Sequence, residues 1–260
     1  MVAAVMLWFS ANADAQQRPP SDSAMRESVV SRFSQADAAS EVPDFQQHVV
    51  PLLGKLGCNG RACHGSFQGR GGFRLSLFGY DFESDYDEIH GRIDPEVPVD
   101  SVMLQKPLMQ IQHEGGQRMK AGSWEHHLLL RWIEGGAQAQ SDEPPSLSAL
   151  ELTPNEILFS ADDQQQQVSA VAIWSDGTSE DVTALCRFQT NDDQIADISA
   201  DGLVRSGVPG DTHIVAFYDR AVVPVPVIRP VTQEFGDRYP VTPTPTKVDE
   251  LVVQKLRKVG

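Results

Sequence analysis

The spacing of apolar residues changes near residue 140 and divides the chain in two. Before that point apolar positions recur at helical intervals in two places. Phe45, Val49, Leu52 and Leu53 fall near one face of a segment that Asp44 can cap. Pro51 is expected to kink or end this helix. His48 lies on the same segment and is read as a surface position. Leu128, Leu129, Trp132 and Ile133 form the stripe of a second helix over residues 123–134, capped by Ser123 and stopped by Gly135-Gly136. Between them residues 73–77 alternate like a strand or extended loop, and residues 85–89 suggest a short helix.

From residue 147 the pattern has a period of two. Residues 150–154, 168–175, 195–199, 203–206, 213–218 and 222–228 read as short strands, with turns at Asp176-Gly177 and Asp201-Gly202. Such spacing predicts a β-sandwich. Residues 141–146, with two prolines, read as a linker between two domains. A stiffer linker follows at 237–247, with Pro240, Pro243 and Pro245. An amphipathic helix then starts at Lys247, with Val248, Leu251, Val252 and Leu256 on one side.

The start of the chain reads as an export signal over residues 1–15. Val2 to Phe9 is apolar, and Ala13-Asp14-Ala15 fits a small-x-small cleavage site. That run is too short to span a bilayer, and no other transmembrane candidate occurs. An exported protein of the periplasm or cell surface is the expectation. Residues 16–41 are polar and read as a disordered linker, with a short helix near 25–33. Lys and Arg number 21 against 36 Asp and Glu, a net charge of -15. Nucleic acid is not a partner for such a chain, because phosphate contacts need basic clusters.

The chemistry concentrates in Cys58-Asn59-Gly60-Arg61-Ala62-Cys63-His64-Gly65. Two cysteines with a histidine directly after the second are what covalent c-type haem attachment needs. The thiols add across the haem vinyl groups, and the imidazole becomes the proximal iron ligand. Four residues separate the cysteines here, where two are usual; a bulge at Gly60 would absorb the extra pair. A Cys58–Cys63 disulfide or half a metal site are the other readings, although a four-ligand zinc site wants two further ligands at close spacing. Cys186 is the third cysteine, in an unrelated setting, and reads as a buried small hydrophobe.

Further motifs follow in order: Gly71-Gly72-Phe73-Arg74-Leu75-Ser76-Leu77-Phe78-Gly79-Tyr80-Asp81, Met103-Leu104-Gln105-Lys106-Pro107, His113-Glu114-Gly115-Gly116 and Arg131-Trp132-Ile133. With the cysteine motif they resemble the cytochrome-c-like domain at the front of large secreted planctomycete proteins, over residues 42–140. Trp174-Ser175-Asp176-Gly177, Asp181-Val182-Thr183 and Ile195-Ala196-Asp197-Ile198 resemble the bacterial Ig-like group 2 domain, over residues 147–230. Val248-Asp249-Glu250-Leu251-Val252 resembles the opening of the domain of unknown function that follows in those proteins, which would make residues 237–260 a linker and the start of a further, truncated domain.

The resemblance implies a small all-α cytochrome-c-like domain followed by an all-β Ig-like sandwich. It also implies that the helices at 45 and 132 cross, with Phe45 against Trp132. Haem c would be held by Cys58 and Cys63, with His64 below the iron. For the opposite face the candidates are Met103, Met109, Met119 and His113. His113 is preferred, with Met119 as alternative. His113 stands nineteen residues before Trp132, where related domains carry a Met-Pro-Pro turn; Met119 stands thirteen before it. No hydrolase constellation is present. The implied function is therefore electron transfer to a redox partner of unknown identity rather than enzymatic catalysis. The Ig-like module would serve as spacer, or as a surface for a carbohydrate or protein. The competing readings are an extracellular adhesion protein with a disulfide-bonded, haem-free first domain, and the front end of a larger enzyme.

Overall fold

The computed structural model describes residues 25–35, 41–139 and 144–260. The signal-peptide reading and part of the linker readings at 16–41 and 141–146 lie outside them. Six α-helices and ten strands occur among the described residues.

Near the start, α1 (Val29–Arg32) is capped by Ser28. Next comes a π-helical turn, Phe45–Val49, capped by Asp44, which runs straight into α2 (Val50–Lys55). Pro51 therefore neither ends nor breaks the helix. It sits at the first turn of α2, where its missing N–H is tolerated. The carbonyl four residues before it belongs to Gln47, and this accepts a 2.7 Å hydrogen bond from the Tyr218 hydroxyl. Helices α3 (Phe82–His90), α4 (Val102–Gln105) and α5 (Trp124–Glu134) follow, joined by turns and extended chain. The stretch 73–77 forms no strand. Phe45 stacks on Trp132 with ring centres 5.4 Å apart, so the π-turn and α5 do cross.

The strands begin with β1 (Leu147–Thr153), β2 (Ile157–Leu158), β3 (Gln165–Gln167), β4 (Ser169–Trp174) and β5 (Ser179–Asp181). They continue with β6 (Arg187–Thr190), β7 (Ala196–Ile198), β8 (Leu203–Ser206), β9 (Gly210–Tyr218) and β10 (Ala221–Arg229). They make three sheets, ordered β1-β4-β5, β2-β10-β9-β6 and β3-β8-β7. All neighbours are antiparallel except β2 beside β10. Strands β2, β3, β5 and β6 carry too few alternating residues to be seen by period alone.

The fold class expected from the sequence, an all-α domain joined to an all-β sandwich, is not what the chain forms. A short, partly helical region precedes residue 147, a mostly β region follows, and one continuous core runs through both. The contacts across the join are specific. Glu180 of β5, fully buried, pairs with Arg32 of α1 and lies 3.1 Å from Nε2 of His48 on the π-turn. Nδ1 of His48 accepts the Asp44 N–H, so Nε2 carries the proton and donates to Glu180. Lys55 donates to the carbonyls of Cys186 and Ala200, and its amine is pulled below the usual lysine range by burial, against the pull of Asp201. The Arg187 guanidinium lies between Phe78, 4.2 Å away, and Phe217, 3.9 Å away.

Two further expectations are corrected by the same contacts. His48 is 2% exposed rather than on the surface, because the polar side of its helix meets the sheet carrying Glu180. Residues 25–35, read as part of a linker, are docked: Val29 and Phe33 are fully buried, and Arg26 bridges to Glu180 at the edge of β5. Arg32 and Arg131 both lie over the Phe33 ring. At the other end α6 (Lys247–Val259) opens with a Thr246–Asp249 capping box. It docks beside β10 through Val253, while Val248, Leu251, Val252 and Leu256, the face expected to be apolar, stay exposed.

Candidate functional site

The chain between α2 and α3 builds one wall of a cavity. Cys58 follows α2 directly, and its N–H donates to the Leu53 carbonyl at 2.8 Å. The four intervening residues fold back on themselves: Cys63 N–H donates to Gly60, and His64 N–H closes the loop onto the Cys58 carbonyl at 2.9 Å. Left-handed backbone is taken by Gly57 (φ 77), just before the loop. Gly65 is required by contact: a Cβ there would lie 2.0 Å from the Asn59 carbonyl oxygen. The loop is braced from behind by the 73–81 motif, where Phe78 N–H donates to Asn59 and Leu75 N–H to His64. Asp85 on α3 holds that brace by accepting from the N–H and hydroxyl of Ser76.

The cavity has a volume of about 210 Å³ and is lined by Cys58, Cys63, His64, Phe73, Met103, His113 and a set of cations. A more open depression of about 390 Å³ shares Cys63, His64, Arg70, Lys106 and His113 with it. Cys58 and Cys63 are free thiols. Burial pushes the Cys58 thiol up to about 12, against the opposing pull of Arg118. Arg118 Nη2 lies 3.8 Å from Cys63 Sγ.

His64 and His113 lie with ring planes 9° from parallel and centres 6.4 Å apart. Nδ1 of His64 lies 3.1 Å from the Phe73 carbonyl oxygen and 3.2 Å from that of Arg70. Nδ1 of His113 lies 2.8 Å from the Gly116 carbonyl oxygen. A carbonyl only accepts, so both rings donate from Nδ1, which in a neutral ring leaves the lone pair on Nε2. Metal-ligating histidines are oriented in this way, with the second nitrogen donating to a carbonyl. Burial also holds the His64 imidazole below its ordinary range, favouring the neutral ring.

Among the described residues no group of three or more His, Cys, Asp or Glu is gathered around a bare ion. Haem iron asks for only two axial side chains, since the macrocycle supplies the other ligands. The residue types a haem c would need, two thiols and two imidazoles, all line this one cavity.

The other candidates are placed elsewhere. Met119 is 4% exposed, packed into the core, and does not line the cavity. Met109 is exposed, whereas Met103 does line the cavity. Spacing gave no sign of Arg70, Arg92, Lys106 and Arg118, which come from four separate places in the sequence to one lining. Lys106 stands in one of the motifs quoted above, but nothing in the sequence showed that the four would meet. No helix is long and apolar enough to cross a membrane among the described residues.

No family model matches the chain, and no curated protein matches it. Among solved structures it is similar to domains 5-6 of the S-layer protein SbsC, at 16% identity and a TM-score of 0.29. That match covers 39% of this chain and 58% of the S-layer fragment, a likeness too slight to bear on the site.

Proposed function

We propose that this chain binds haem c covalently and carries electrons. Cys58 and Cys63 would hold the group by thioethers, His64 would be the proximal ligand and His113 the distal one. The observation that carries the reading is the pair of near-parallel imidazoles, each fixed through Nδ1 to a backbone carbonyl, in the cavity that both cysteines line. The bound group supplies reversible one-electron exchange at iron. The chain supplies the rest. Carbonyls of Phe73 and Gly116 hold the two rings in register, so neither must turn when the charge at the site changes. Leu53, Phe73 and Met103 supply the apolar part of the lining, and cations along it favour the lower oxidation state. Export belongs to the same reading, because haem c is attached outside the bacterial cytoplasm.

The test is to export the full chain together with a haem-attachment system. A Soret band that survives acid–acetone extraction is expected, and it should be lost when Cys58 and Cys63 are both replaced by serine. A colourless protein with Cys58 joined to Cys63 contradicts the proposal.

A further inference from the structure

A second cavity, of about 460 Å³, opens where the partly helical region meets the strands, and it shares no lining residue with the cysteine–histidine cavity. The turn at residues 77–80 forms one side of it, and β6, β9 and β10 form the other. Much of the lining is apolar, with Pro51, Leu77, Phe78, Tyr80, Phe217 and Val222 in it. Phe78 and Tyr80 are both exposed. Phe78 holds its ring there from left-handed backbone (φ 59), which a bulky side chain rarely adopts.

Arg187 stands out in this lining. Its guanidinium packs against Phe217 at 3.9 Å and Phe78 at 4.2 Å. Rings on its faces leave its N–H edges as the route to an acceptor, yet among the described residues it makes no ion pair and no side-chain hydrogen bond. Burial alone pulls it below the usual arginine range, with no counter-charge to oppose this. A half-buried cation with five donors and no protein acceptor is costly to leave so. The chain carries 36 acidic residues, but none of those described is set against this one. Asp219 is the one carboxylate in the lining, and it accepts from Gln46 instead. Arg220, exposed on the turn between β9 and β10, adds a second cation to the lining.

We infer that this cavity binds an aromatic monocarboxylate, whose acid pairs with Arg187 and whose ring lies against Phe78 and Tyr80. A planar guanidinium matches a carboxylate by two parallel hydrogen bonds made along its edge, the part that the flanking rings leave open. An apolar lining with few polar groups suits a ligand with an apolar body and one polar end. Exposed aromatic side chains favour a flat body, which they meet by offset stacking or edge to face. The inference does not depend on haem, since none of these residues lies in the other cavity.

The test uses the full chain and two probes of one shape, 2-naphthoate and its neutral amide 2-naphthamide, titrated by their own fluorescence. The wild type should bind the acid about tenfold more tightly, the value of one charge-assisted hydrogen bond. In Arg187→Gln that preference should vanish, with amide affinity unchanged as evidence of an intact cavity. Arg187→Lys keeps the charge and loses the planar fork, and should narrow the preference. Arg220→Gln should leave it in place, and Tyr80→Ala should weaken both probes alike. Inorganic phosphate should not displace the acid. Equal wild-type affinities, a preference as wide as the wild type's in either Arg187 variant, its loss in Arg220→Gln, or ready displacement by phosphate overturns the inference.

Discussion

Replacing Glu180 by alanine should loosen the whole molecule and not only the sheet that carries it. The carboxylate is fully buried, and its cation is Arg32, whose side chain is 11% exposed. Breaking a buried ion pair from one side costs about 3–5 kcal/mol, because the remaining charge stays out of water. Arg32 keeps a second partner, Glu41, at 2.5 Å, which places the cost at the lower end, about 3 kcal/mol. For a chain of this size that corresponds to a fall in Tm of roughly 6–12 °C. Glu180→Gln keeps an acceptor for His48 and Arg32 and should lose about half as much. Melting is followed by far-ultraviolet circular dichroism for the strands and by tryptophan fluorescence in a Trp174→Phe background, which leaves Trp124 and Trp132 of α5 as reporters among the described residues. Both signals should fall together. Two separate transitions, with only the β signal displaced by Glu180→Ala, would refute the continuous core. So would a change below about 1 kcal/mol, the value of an exposed pair.

Tyr218→Phe removes the hydroxyl that serves the Gln47 carbonyl above Pro51, and should cost about 1–2 kcal/mol in urea unfolding without changing the m-value. An unchanged midpoint would show that water serves that carbonyl equally well. Burial holds the Asp85 carboxyl above its ordinary range, against the hydrogen bonds from Ser76. A carboxyl raised on folding binds its proton more tightly in the folded state, so its contribution is favourable at low pH and is lost as pH rises through the folded value. Asp85→Asn should therefore flatten the decline in stability just above the usual carboxylate range. A pH profile parallel to the wild type contradicts this.

How far the sequence could be read depended on the range of each interaction. Asp44, Ser123 and the stripe at Leu128, Leu129, Trp132 and Ile133 act within one or two turns, and their helices appear where the spacing places them. The strands with clear alternation, β4, β8, β9 and β10, do likewise. The cysteine motif and His113 were chosen from the sequence, and the fold brings them to one cavity. What stayed hidden was long-range pairing. His48 looks like a surface residue until Glu180, 132 positions later, is seen beside it. The docking of residues 25–35 depends on Arg131 and on the sheet edge at Glu180, which leave no trace in local composition. The convergence of the cavity cations was likewise hidden, because no two of the four are neighbours in sequence.

The most direct measurement is the ferric absorption spectrum of the holoprotein beside its His113→Ala and Met119→Ala variants. Ligation by His64 and His113 predicts a low-spin spectrum without the weak sulfur-to-iron band at the red edge, unchanged in Met119→Ala and turned high-spin in His113→Ala. A sulfur-to-iron band that disappears in Met119→Ala and persists in His113→Ala would contradict the account.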